Sequence, residues 1–379
     1  MEHCLPATAL QLRTLIKTGG ELELSLVDVP VTQPQPDEVL IRVEAAPINP
    51  SDQGLLFGAA NLSEAVQEGT ADRPVIRAPL SPKAMAAMAA RVGQSLPAGN
   101  EGAGTVVAAG GSGAAQALLG KRVAALTRAM YSQYQLAKLD QCMVLPPDAT
   151  AEEGASSFVN PLTALGMVET MRAEGHRALV HTAAASNLGQ MLNRICRKDG
   201  IGLVNIVRKP DQAEILKALG ADHVCDSSSP GFEQDLTAAI AATGATIAFD
   251  AIGGGGLANQ ILQCMERVLA RGSVEYSRYG TSILKQIYVY GGLDSSPTIL
   301  DRSYGFAWSV ASWLVFPYLQ RLGPEVRQRL QDRVAAELKT TFSSHYSARI
   351  TMQQMLTLEA IGRFSRRATG EKYLLLPNG

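Results

Sequence analysis

Ala178-Leu-Val-His-Thr-Ala-Ala-Ala-Ser-Asn-Leu-Gly-Gln190, followed by Gly202-Leu-Val-Asn-Ile-Val-Arg-Lys209, is the stretch that decides the fold of this chain. Each half opens with a short apolar run of strand character and passes into a helix-length segment, near Asn187 in the first and near Asp211 in the second. Two further runs of the same kind follow, Ala221-Asp-His-Val-Cys225 and Thr246-Ile-Ala-Phe-Asp250. Short apolar strands separated by helices imply βαβ crossovers and a parallel sheet covered on both faces. The chain after Pro161 is therefore predicted to be α/β, a doubly wound Rossmann-type domain.

Upstream the pattern is that of antiparallel sheet. Glu21-Leu-Glu-Leu-Ser-Leu26 alternates polar and apolar, Pro30, Pro34 and Pro36 punctuate, and Val39-Leu-Ile-Arg-Val-Glu44 follows. Strand patterns resume at Gly104–Gly110 and Lys121–Leu126. Between them Ser81–Arg91 is rich in Ala and Met, with Met85, Met88 and Val92 at helical spacing, and reads as an inserted helix packed on the β domain. The tail offers a charged helix over Pro324–Lys339 and a last strand, Lys372-Tyr-Leu-Leu-Leu376, which its pattern alone assigns to neither part.

Composition narrows the function. With 46% hydrophobic and 18% charged residues the 379-residue chain can bury the cores of two domains. A net charge of -1 without a long Lys/Arg cluster leaves no electrostatic footprint for nucleic acid or an anionic membrane. The 5 cysteines (Cys4, Cys142, Cys196, Cys225, Cys264) never form CxxC, which speaks against a disulfide framework or a structural zinc lobe and makes a reducing cytoplasm the expectation. Met1–Leu15 contains Glu2 and Arg13 and does not read as a signal, and Phe306–Leu319, interrupted by Pro317, falls short of the roughly 20 apolar residues that span a bilayer. Gly113–Arg122 ends in Gly-Lys-Arg but lacks the first glycine and the Ser/Thr of a phosphate loop. No GxSxG or HExxH occurs, and His3, His176, His181, His223 and His345 never pair at ligand spacing.

In a doubly wound sheet a diphosphate sits at the first strand-to-helix turn, where helix amides point at it. Here that turn, Ala183–Gln190, keeps only Gly189 of the usual glycines, with Ala and Ser standing in for the others. An ordinary small-residue turn is spelled the same way. The discriminating residues are Arg208 and Lys209, which end the next strand where an Asp or Glu would hold the ribose of NAD. A guanidinium there can grip a 2'-phosphate bidentately, so NADPH is the expected cofactor.

Ala45-Ala-Pro-Ile-Asn-Pro-Ser-Asp52, Gly99-Asn-Glu-Gly-Ala-Gly-Thr-Val106, Val159-Asn-Pro-Leu-Thr-Ala164, Gly220-Ala-Asp-His-Val224 and Phe249-Asp-Ala-Ile-Gly-Gly254 together, in this order, resemble the medium-chain dehydrogenase/reductase superfamily, most of all its quinone oxidoreductases and mitochondrial-type enoyl thioester reductases. The resemblance implies a GroES-like substrate domain over 1–160 and 341–379, a Rossmann NADP-binding domain over 161–340, an active cleft between them and homodimers formed through the cofactor domains. It places Asn49, Asn160 and Thr163 at the nicotinamide end, Ser186, Asn187, Leu188 and Gly189 at the diphosphate, Arg208 and Lys209 at the 2'-phosphate, and Tyr276, Ser277 and Lys372 among further cofactor contacts.

Zinc alcohol dehydrogenases of that superfamily carry Cys where this chain has Asn49 and His where it has Asn100, and an amide is a poor zinc ligand. Glu101 is accordingly expected to be structural. Enoyl thioester reductases carry a proton-donating Tyr at the position of Ala60; Tyr131 and Tyr134 are the substitutes in reach, and the segment Ala60–Ala98 is longer than the usual connection. The expected function is zinc-independent, NADPH-dependent hydride transfer to a quinone or other α,β-unsaturated carbonyl. Enoyl thioester reduction and a non-catalytic, redox-sensing NADPH-binding protein are the alternatives.

Overall fold

Apolar residues at every second position make half-buried strands of β1 (Thr8–Lys17), β2 (Glu21–Pro30) and β3 (Glu38–Pro47). On the core face of the β1–β2 pair Leu12 lies opposite Leu26, Thr14 opposite Leu24 and Ile16 opposite Leu22, while Glu23 on the outer face binds Lys17 and Arg77. The sequence then runs through β4 (Val66–Gly69), β5 (Pro74–Pro79), β6 (Ser95–Pro97), β7 (Glu101–Ala109), β8 (Arg122–Leu126), β9 (Tyr134–Lys138) and β10 (Cys142–Val144). The first sheet has the order β4-β5-β2-β1-β6.

The helix expected over Ser81–Arg91 is present but shorter, and the long connection Ala60–Ala98 around it contributes strands to the first sheet. Helix is confined to Pro82–Ala87 with a 3-10 turn at Ala89–Arg91, and the remainder extends the sheet. The cause is pairing: β5 brings Ile76 opposite Leu24 and Ala78 opposite Leu22, so both are buried. Met85, Met88 and Val92 pack against that core as half-buried residues.

After the helix Val159–Ala173 come β11 (Ala178–His181), β12 (Gly202–Val207), β13 (His223–Asp226), β14 (Ile247–Asp250), β15 (Lys285–Val289) and β16 (Trp308–Ser312). They form one parallel sheet in the order β13-β12-β11-β14-β15-β16. β11 and β14 are buried along their whole length, as strands covered on both faces must be. Val180, Val204, Ile206, Ala248 and Ile287 pack against Leu236 and Ile240 of the helix Phe232–Thr243 and Ile261 and Met265 of the helix Leu257–Arg271.

The tail helix ends at Ala336, short of Lys339. β17 (Ala348–Ile350) and β18 (Tyr373–Leu375) then return to the β-rich part, whose second sheet is β10-β8-β7-β3-β18-β17 with β9 also on β3. The computed structural model describes residues 5–272 and 276–379, so Met1, Glu2, His3 and Cys4 lie outside the described residues. The chain divides into a β-rich unit, ending at Val159 and resuming over Gln331–Gly379, and a parallel-sheet unit, Asn160–Leu330. The second boundary falls inside the helix Pro324–Ala336 rather than after it; Lys339 is paired with Asp148 of the β-rich unit at 2.8 Å. No helix among the described residues is long and apolar enough to cross a membrane.

Candidate functional site

In the parallel-sheet unit the carboxyl ends of β11, β12 and β14 are stitched together by the turn that follows β11. Thr182 N donates to Phe249 O at 3.1 Å and Ala184 N to Ile206 O at 3.1 Å, so the turn is held to both neighbouring strands. Ala183 sits at φ 53°, a left-handed conformation that costs a non-glycine residue about 1 kcal/mol and occurs where the first glycine of a dinucleotide turn is expected. Ser186 caps the helix Asn187–Asp199, its Oγ accepting from Gly189 N at 3.1 Å. At Gly189 a Cβ would lie 2.2 Å from Ala184 O, so only glycine lets this helix close on the turn. Asn187 and Leu188 supply backbone amides to the positive end of the helix dipole.

Asp250 was not anticipated as a site residue. Its Oδ1 accepts from Thr182 Oγ1 at 2.8 Å and from Ile252 N at 2.9 Å, its Oδ2 from Gly253 N at 3.1 Å, and Ala251 N donates back to Thr182 Oγ1 at 2.8 Å. One buried carboxylate thereby fixes the turns after β11 and β14 against each other. The Phe249–Gly254 motif is the signal that held it. Beyond β12, Arg208 and Lys209 are exposed, and neither side chain makes an ion pair with a described residue. Asn160, half-buried, and Thr163, buried, lie in the first turns of the helix Val159–Ala173.

Tyr276 and Ser277 do not join this edge. Tyr276 is 94% exposed, and Ser277 Oγ accepts from Tyr279 N in a local turn. The residue that follows β15 at the carboxyl edge is Tyr290, whose hydroxyl lies 2.7 Å from His181 Nε2 with the rings stacked. Burial pushes the His181 pKa down to about 3, so its imidazole is neutral, and burial together with neighbouring Asp250 pushes that of Tyr290 up.

The β-rich unit gathers a second set of polar groups. Asn49 precedes the helix Pro50–Leu56 and is buried; its backbone N–H donates to Asp52 Oδ2 at 2.9 Å and its Nδ2 to Glu101 Oε1 at 2.7 Å. Asn49 Oδ1 has no partner among the described residues. Glu101 Oε2 accepts from Phe158 N at 2.8 Å and Val159 N at 2.9 Å, while Asp52 Oδ1 accepts from Asn100 N at 2.8 Å. Desolvation raises the Glu101 pKa and brings that of Asp52 up to about 6. Ile48 N donates to Tyr373 O at 3.0 Å as β18 pairs with β3, and this sets Lys372 beside the group. Its Nζ donates to Ser156 Oγ at 2.8 Å and lies 5.6 Å from the Tyr346 ring centre; burial lowers its pKa to about 8.

Of the two tyrosines expected as substitute donors, Tyr131 is fully buried beneath Gly99 and its hydroxyl donates to Pro47 O at 3.0 Å. Tyr134 is half-buried on β9 opposite Arg42. The donor set at positions 49, 52, 100 and 101 does not suit zinc: the Asn49 and Asn100 amides use their nitrogens to reach Glu101 and Ser51, and no thiolate or imidazole is among them. The parallel-sheet edge, with its small-residue turn and two exposed cations, does suit a phosphorylated dinucleotide.

A family profile described as zinc-binding dehydrogenase matches residues 188–268, all within the parallel-sheet unit. Among curated proteins the chain is 30% identical over 222 residues to a chloroplastic quinone-oxidoreductase homolog of Spinacia oleracea, a match covering 56% of this chain and 59% of that protein. It is 29% identical over 248 residues to the mitochondrial enoyl-[acyl-carrier-protein] reductase of Xenopus tropicalis, covering 58% and 57%. The chain thus spans less than two thirds of the length of these relatives. Among solved structures, a proposed NADPH:quinone reductase of Mesorhizobium loti shares the fold with a TM-score of 0.73 at 24% identity, covering 99% of this chain and 100% of that one.

Proposed function

We propose that the chain is a member of the medium-chain dehydrogenase/reductase superfamily and, within it, an NADPH-dependent, zinc-independent reductase of quinones or other α,β-unsaturated carbonyls, a reading supported by the relatives and the fold it resembles. The observation that carries this reading is the exposed Arg208–Lys209 couple beside a dinucleotide-type turn. When bound, the reduced nicotinamide supplies a hydride. The turn Ala183–Ser186 and the first amides of the helix Asn187–Asp199 hold the diphosphate, Arg208 grips the 2'-phosphate with Lys209 as a second charge, and Asp250 keeps the turn in shape. Glu101 locks the Asn49 amide through its Nδ2. An acceptor that is already electrophilic needs no Lewis acid, which agrees with a donor set unsuited to zinc.

The test has two arms. Arg208→Asp should weaken NADPH binding, read by cofactor fluorescence, about 10- to 100-fold while sparing NADH, the cost of a lost charge-assisted contact plus repulsion; equal losses for both cofactors would sink the assignment. Purified protein should oxidise NADPH with some member of a panel of quinones and enones. Binding without turnover on any of them points instead to a redox-sensing NADPH protein, and turnover confined to enoyl thioesters points to the activity named for the Xenopus tropicalis relative.

We infer in addition that two copies associate through the parallel-sheet unit. Its edge strand β16, Trp-Ser-Val-Ala-Ser, carries neither charge nor proline and is flanked by exposed Phe306 and Leu314, and such unprotected edges recruit a partner strand.

A further inference from the structure

In a parallel sheet of the order β13-β12-β11-β14-β15-β16 the strand order reverses between β11 and β14, and a dinucleotide lies across that switch point with one half on each side. Arg208 and Lys209 follow β12, which gives the adenosine half to that side and the nicotinamide half to the side of β14 and β15. β15 stands two strand spacings from β11, roughly 9.5 Å, so its end meets the nicotinamide half rather than the diphosphate. The residue that follows β15 is Tyr290, half-buried, with its ring stacked on that of His181. Of the neighbouring hydroxyls, that of Thr182 donates to Asp250 Oδ1 and that of Tyr288 to Glu174 Oε1 at 2.7 Å.

Whether Tyr290 has a proton to give depends on His181. The Nε2 of His181 lies 2.7 Å from the Tyr290 hydroxyl, and its Nδ1 is buried without a partner among the described residues. Burial keeps the imidazole neutral, so it carries a single N–H. Were that proton on Nδ1, a buried N–H would be orphaned, which folded proteins rarely tolerate; a bare ring nitrogen is the cheaper orphan. The proton therefore belongs on Nε2, where it is donated to the Tyr290 oxygen and leaves the tyrosine O–H free for another acceptor.

We propose that Tyr290 donates a hydrogen bond to the nicotinamide half of the cofactor, and that His181, as the Nε2–H tautomer, is the positioning residue that reserves the tyrosine proton for that bond. The inference rests on the NADPH reading above. Within the parallel-sheet unit it gives the far half of the dinucleotide its own polar contact, as Arg208 gives one to the 2'-phosphate.

The experiment measures by titration calorimetry how the full chain binds NADPH and adenosine 2',5'-bisphosphate, which keeps the 2'-phosphate and lacks the nicotinamide half. Tyr290→Phe should weaken NADPH about 3- to 10-fold, the loss of one net hydrogen bond, and leave the bisphosphate unchanged. Arg208→Asp, by contrast, should weaken both ligands. His181→Phe keeps a ring for the stack and removes the N–H; it should weaken NADPH alone, by no more than Tyr290→Phe does. Independently of any ligand, the nitrogen-15 shifts of the His181 ring in the wild type, assigned by their loss in His181→Phe, should place the proton on Nε2. The proposal is overturned if Tyr290→Phe binds NADPH as the wild type does, or if it loses affinity for both ligands equally, the behaviour of a residue that only supports the fold. A proton found on Nδ1 overturns it too, since Tyr290 then donates to His181, and this measurement decides if Tyr290→Phe does not fold. A wild type that binds neither ligand overturns the NADPH reading itself, a failure distinct from each of these.

Discussion

Asp52 is a carboxylic acid enclosed at the start of the helix Pro50–Leu56, and burial raises its pKa from 3.8 to about 6. The folded state therefore binds its proton more tightly than the unfolded state does, so the stability linked to Asp52 is present in full below about pH 4 and is lost as pH rises through about 6. Asp52→Asn should remove that loss, on the order of 3 kcal/mol, from the difference between the two proteins' pH–stability curves; parallel curves would show that Asp52 ionises freely. Its neighbourhood shows how far residue types can be read in advance. Arg208 and Lys209 stood out because charge at the end of a strand is a local feature. Tyr276 and Ser277, which the resemblance placed among the cofactor contacts, are exposed, whereas Tyr290 comes to the sheet edge because β14–β15 pairing brings Phe249 opposite Tyr288. Lys372 was expected among the cofactor contacts, but its bond to Ser156 joins residues far apart in sequence.

The helix Asn187–Asp199 reaches the phosphate turn through a single glycine. Gly189→Ala puts a methyl group against Ala184 O, so the helix must back away; a stability loss of about 1–3 kcal/mol by chemical denaturation, with weakened NADPH binding, is the expected result. Unchanged affinity would show that the turn tolerates displacement. Periodicity located this helix and its neighbours because each strand of a parallel sheet is a short, wholly apolar run, separated from the next by a crossover. It did less well on Ala60–Ala98. Ala and Met between Ser81 and Arg91 have helical propensity, yet only Pro82–Ala87 is α-helical, and the strands β4 and β5 depend on the exposed edge of β2 being available. A strand whose identity rests on its partner leaves a weak trace in its own sequence.

At the scale of the molecule the chain leaves the β-rich unit after Val159 and re-enters it at Gln331. The association inferred through β16 is tested there: sedimentation should give twice the mass of the chain, and Ala311→Lys, a charge on the exposed edge, should give the monomer. A wild-type monomer would refute the edge-strand contact. The change from alternating to continuous apolar runs, the small-residue turn after β11 and the basic pair after β12 were determined by sequence alone, because strand character, turn size and terminal charge are properties of neighbouring residues. The convergence of Asn49, Asp52, Glu101, Ser156 and Lys372, the Asp250 lock between two turns and the sheet built from Ala60–Ala98 were decided only in the tertiary structure. Each depends on which distant strands pair and on the burial that pairing imposes, and neither is encoded in the period of any single segment.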